Sequence, residues 1–171
     1  MKYLATTAVL ASAFIAAVAS TPLHAGAEGS AAWDAKAAAS YLDARQAWWR
    51  SWPNAARDHD TVCVSCHSAL PYALSRPALR SRLNENGLSP NEAKLIADVV
   101  KRVREWKDME PWYPDQTRGL PKTAESRGTE SVINAIVLSR RDAATGTLSE
   151  DGRQAFANMW AHQRRTRELT G

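Results

Sequence analysis

The chain predicts an all-α fold, a small helical domain of about five to six helices. Three observations carry that expectation. Apolar residues recur at three- or four-residue spacing in successive segments, and capping residues stand where several of those segments begin. No stretch alternates apolar and polar residues in the manner of a half-buried strand.

The first residues are set apart from that domain. Lys2 supplies a short positive region, Leu4 to Ala19 is apolar, and Ala25-Gly26-Ala27 offers an A-x-A cleavage site. The apolar run falls short of the roughly 20 residues a membrane span needs, and Thr6, Thr7 and Ser12 dilute it. Residues 1–27 therefore read as a cleaved signal peptide and 28–171 as a single helical domain. The expected location is the periplasm, with no stable membrane span after cleavage.

Trp33, Ala37, Tyr41, Ala44 and Trp48 share one face of a first helix. Ser30 is its candidate cap, and Pro53 stops it after Trp48-Trp49-Arg50-Ser51-Trp52. Asn54 to Thr61 reads as a polar loop, followed by a short helix from Cys63 to Leu74. Ser75-Arg76-Pro77 is expected to break that helix and open another through Leu83, closed by Asn86-Gly87. Ser89-Pro90-Asn91-Glu92 combines a Ser N-cap, Pro at the first helical position and Glu at the third. Behind it Ile96, Val99, Val100, Val103 and Trp106 form an apolar stripe, with Lys101, Arg102, Arg104 and Glu105 outside it. Met109 to Lys122 carries Pro111, Pro114 and Pro121 and reads as an irregular loop. Helices from about Gly128 to Ser139, and from Ser149 through Gln163, complete the order.

Charge excludes little. Lys2 is the only charged residue in 1–27, so cleavage takes the formal net charge from +4 to +3. No dense basic stripe with stacking aromatics is present, so nucleic acid is not an expected partner. Seven tryptophans stand against two phenylalanines, and ordinary core packing is the expected use of most of them.

The chemistry is concentrated in one pentad, Cys63-Val64-Ser65-Cys66-His67, which holds both cysteines of the chain. C-x-x-C-H is the attachment signature of a c-type haem. Two cysteines and four histidines scattered at random would produce it only about 3 times in 10,000. On this reading Cys63 and Cys66 anchor one covalent haem c, and His67 is the proximal ligand of its iron. Met109 is the first candidate for the sixth ligand and Met159 the second, ahead of His59 and His162. Arg57, Arg76 and Arg80 are candidates for holding the propionates, because a guanidinium grips a carboxylate with two parallel bonds. Tyr72 and the tryptophans from Trp48 to Trp52 are candidate walls for the haem edge.

Export favours this reading, since c-type attachment takes place outside the bacterial inner membrane. The expected function is electron transfer with a periplasmic redox partner, or haem-based sensing. Two alternatives stay open: a haem-free thiol redox protein using Cys63 and Cys66, and a helical interaction module. A thiol oxidoreductase would call for a strand-rich pattern, and a zinc site for a fourth ligand. No nucleophile elbow or Gly-rich phosphate loop is present, so no enzyme activity is expected.

Several strings resemble one bacterial protein group. They are Arg57 through Leu74, Glu110-Pro111-Trp112-Tyr113, Arg127-Gly128-Thr129-Glu130, Asn134-Ala135 and Met159-Trp160-Ala161-His162-Gln163. Together they are similar to the N-terminal part of proteins joining a haem-type C-x-x-C-H segment to squalene cyclase and prenyltransferase-like repeats. The resemblance implies paired helices, as at the start of an α/α toroid, and a hydrophobic substrate or partner protein. The cyclase acid run D-x-D-D is absent, so cyclase activity is not implied, and a shortened version of such a protein is expected.

Overall fold

A computed structural model describes residues 33–109 and 119–163, the side chains of 119–124 excepted. The chain divides into two units, Met1–Trp33 and Asp34–Gly171. The expected signal peptide, Ser30 and most of the Met109–Lys122 loop lie outside the described residues.

Among the described residues the second unit is all-α, with five helices: α1 (Ala35–Ser51), α2 (Ala69–Arg82), α3 (Pro90–Arg104), α4 (Gly119–Asp142) and α5 (Glu150–Ala161). The expected loop before the pentad contains a 3-10 turn, Pro53–Ala55, and a two-residue antiparallel ladder pairing β1 (Ala56–Arg57) with β2 (Thr61–Val62). Thr61 N donates to Asp58 O across the turn, and His59 and Asp60 are both left-handed, at φ 56° and 55°. Two such central residues suit the twist of a tight hairpin.

The helix starts follow local chemistry. Asp34 caps α1, its carboxylate accepting from Lys36 N at 2.8 Å and Ala37 N at 3.1 Å. α3 carries the expected capping box: Ser89 Oγ accepts from Glu92 N, and Glu92 accepts from Ser89 N at 2.8 Å. Ser149 caps α5 as expected, through Gly152 N.

α1 turns its aromatic face outward, against the core use expected of most tryptophans. Tyr41 is 65% exposed and Trp48 46%, while Ala39 and Gln46 are buried and Leu42 packs on the core. The Asp43 side orients the helix, because its carboxylate accepts from Tyr72 Oη at 2.6 Å and from Arg76 Nε at 3.1 Å. Trp48 and Trp52 stack on each other outside, and Arg45 lies over the Trp48 ring.

α2 is one helix, not two. It starts only at Ala69 and runs through Pro77, which has no N–H for the Ala73 carbonyl. An interior proline costs about 3 kcal/mol, and the bonds of Tyr72 to Asp43 and of Arg76 to both Asp43 and Glu85 oppose that cost. The helix closes at Asn84, left-handed at φ 53°, with Asn84 N donating to Ser81 O and Glu85 N to Arg80 O. Closure thus comes before Asn86-Gly87.

α3 sits against both helix pairs, α1 with α2 and α4 with α5. Its Leu95, Val99 and Val103 join Val64, Ala69 and Tyr72 on one side and Val137, Leu138 and Ala155 on the other. Arg102, expected outside, is buried at 1% exposure. Its Nε and Nη2 donate to the two Glu130 oxygens and its Nη1 to Thr61 Oγ1, joining α3 to α4 and β2. No described helix is long and apolar enough to cross a membrane.

Candidate functional site

The pentad is an irregular stretch over 63–65 followed by a turn, where a helix from Cys63 is expected. Hydrogen bonds from outside it set this form. Cys63 N donates to Ala55 O at 2.8 Å, and the Trp49 indole donates to Cys63 O at 2.8 Å. Ser65 Oγ then accepts from His67 N at 3.0 Å and from Ser68 N at 3.2 Å, turning the chain into α2. Val64 is buried in the core and pins the middle of the segment.

Cys63 is half-buried, Cys66 and His67 are exposed, and the two thiols are not joined. Both cysteines line a surface cleft of about 280 Å³. Trp49 of α1, Arg57 of β1 and Thr129, Glu130 and Ile133 of α4 line it with them. α4 begins at Gly119, well before the expected Gly128, and its added turns bring Glu125 and Ser126 to the cleft as well. Pro121 sits in its first turn, where no backbone donor is needed.

Burial acts in the same direction on two titratable groups that line the cleft. Burial pushes the Cys63 thiol above its ordinary range, opposed by the charge of Arg57 and by a hydrogen bond from it. Arg57 itself donates from Nη1 to Asn54 O and Ala56 O, so it is fixed beside Cys63. Burial likewise raises the Glu130 carboxyl, against the opposing pull of Arg102 and Asn134. Arg102 thus stands behind the cleft, holding one of its walls.

The other candidates are dispersed. Arg76 is buried between Asp43 and Glu85, and Arg80 pairs with Glu92; neither lines this cleft. Tyr72 is in the core, its hydroxyl on Asp43 and Ser89. Met109 is buried, with its carbonyl accepting from Arg127. Met159 packs against the core from α5. Neither methionine is among the described residues lining the cleft. His59 is engaged by Glu105 and Asp58, and His162 by Trp106 and the Asn158 carbonyl.

Thr129, Glu130 and Ile133 receive no site role from sequence reasoning, although Thr129 and Glu130 fall in one of the strings carrying the resemblance. The signal available was an acidic residue on a helix face otherwise filled by Ile133 and Val137. Among the described residues no group of three or more His, Cys, Asp or Glu side chains gathers as a metal site.

One half-buried and one exposed thiol on one cleft, with an imidazole next in the chain, are the donor types that a covalently attached haem uses. The imidazole of His67 makes no hydrogen bond or ion pair among the described residues, so both its nitrogens are unengaged there. Comparison with protein-family models, with curated proteins and with solved structures yields no match for this chain.

Proposed function

We propose that the chain is an exported monohaem c-type protein of the periplasm, serving electron transfer or haem-based sensing. Cys63 and Cys66 would hold the haem covalently and His67 would ligate its iron. The observation that carries this reading is the placement of both thiols on one cleft, with His67 next in the chain, outside the cleft lining, and its imidazole unengaged among the described residues. A bound haem supplies a one-electron iron centre whose potential depends on its axial ligands and on burial. The chain's own part is to fix the pentad through Trp49 and Ala55, to place an indole and Ile133 against the cleft, and to set Arg57 there as the cation for a carboxylate.

The thiol-redox alternative is less well supported. A reactive thiol needs a lowered pKa, and burial moves Cys63 the other way. Met109 and Met159 remain the proposed candidates for the sixth ligand, and a periplasmic redox protein the proposed partner. The hydrophobic substrate or partner implied by the resemblance belongs to the same proposal.

Co-expression with a cytochrome c maturation system tests the reading. Covalent haem should survive a denaturing gel, stain for peroxidase activity and give a c-type pyridine haemochrome spectrum. Cys63→Ser and Cys66→Ser together should abolish the stain. A mature protein without covalent haem would sink the proposal.

A further inference from the structure

A second cavity, sharing no lining residue with the cysteine cleft, opens between α2, α3 and α4 with a volume of about 580 Å³. That lies within the range of about 300–1,000 Å³ common for small-molecule sites. Pro77, Leu88, Leu95, Ile96 and Val137 give it an apolar lining, and Leu88 is 47% exposed at its edge.

The charged groups around it are unbalanced. Three arginines, Arg80, Arg140 and Arg141, face one carboxylate, Glu92. Glu92 is already committed, accepting from Ser89 N at 2.8 Å and from Arg80 Nε at 3.3 Å. Arg141 is fixed by Asp142 and Ser149. Arg140 is exposed and makes no hydrogen bond or ion pair among the described residues. An apolar cavity edged by surplus guanidinium suits a molecule with an apolar body and one anionic end.

We infer that this cavity binds a single-chain amphipathic carboxylate, with its chain against Leu88, Leu95, Ile96 and Val137 and its carboxylate at Arg140. The inference is independent of the haem reading, because no residue is shared between the two sites. A carboxylate is ionised at neutral pH, so the charge match holds there. The two acyl chains of a phospholipid ask for more room than one such cavity provides, which favours a free acid over a bilayer headgroup.

Calorimetric titration of the intact mature protein with sodium decanoate below its micellar range tests this. Decyltrimethylammonium, with the same chain and opposite charge, is the control, and vesicles containing phosphatidylglycerol form a third arm. Saturable one-to-one decanoate binding is expected, weakening with salt, with little binding of the cation. Arg140→Gln should weaken it about fivefold and Leu88→Ser about threefold. Both positions are exposed, so both variants should fold. Lack of saturable decanoate binding would overturn the inference, as would equal affinity for the cation. Binding to vesicles without decanoate binding, or unchanged affinity in both variants, would overturn it as well.

Discussion

The indole of Trp49 donates a hydrogen bond to the Cys63 carbonyl at 2.8 Å, tying the last full turn of α1 to the first residue of the pentad. The same carbonyl accepts from Ser65 N at 3.0 Å, so two donors converge on it. The cysteine segment is thereby held in a tight three-residue turn ahead of α2.

Trp49→Phe keeps the ring against the cleft and removes that donor. The expected cost is about 1 kcal/mol of stability, read by urea denaturation. The free Cys63 thiol should also be alkylated faster than in the parent chain. Unchanged stability together with unchanged alkylation would show that the bond does not hold the pentad.

Thiol reactivity should separate the two cysteines in protein prepared without haem maturation. Cys66 is exposed, whereas Cys63 is half-buried with its thiol pKa raised by burial. The thiolate is the reactive form, so a raised pKa leaves less of it at any given pH. Iodoacetamide at pH 8 should label Cys66 first, and labelling of Cys63 should catch up only as the pH rises above the ordinary thiol value of 9.0. Peptide mass spectrometry over time reads the order. Haem-loaded protein should resist labelling at both.

Arg102→Met should be among the most damaging single changes in the domain. It leaves Glu130 buried without its guanidinium, a situation that typically costs about 3–5 kcal/mol. Removing both partners, as Arg102→Met with Glu130→Leu, should recover much of that loss, because no uncompensated charge remains. A double variant as unstable as the single one would refute this account of the pair.

Asp142 supplies a pH dependence with a definite sign. Burial alone would raise its carboxyl, but hydrogen bonds from Arg141 and from Ser149 outweigh it, and the net pKa falls below the ordinary 3.8. A depressed folded pKa contributes stability that is full above the unfolded value and is lost as pH falls through the folded one. Asp142→Asn should therefore destabilise the protein at pH 7, and the gap to the parent should narrow below about pH 4. Thermal unfolding across that range measures it; a gap independent of pH would contradict the assignment.

Much of the helix order was readable because helix starts are local. Ser89-Pro90-Asn91-Glu92 satisfies its own backbone donors within one turn, and Ser149 does the same for α5. The pentad was readable for a similar reason, since its residues are neighbours in the chain. Local rules failed where a distant partner outweighed them. Pro77 reads as a break, yet Asp43 and Glu85 hold Arg76 beside it and α2 continues. Arg102 reads as surface, yet Glu130 and Thr61 wait for it in the core.

The sequence by itself determined the all-α class, the capped starts of α3 and α5, and the adjacency of Cys63, Cys66 and His67. All of these rest on spacing or on hydrogen bonds spanning a few residues. Only the tertiary structure decided that Tyr41 and Trp48 face outward, that Cys63 sinks while Cys66 stays exposed, and that α4 lines a cleft together with both cysteines. Periodicity tells which residues share a helix face. Which face is buried depends on charges and side chains contributed from far along the chain, as Asp43, Tyr72 and Arg76 do for α1.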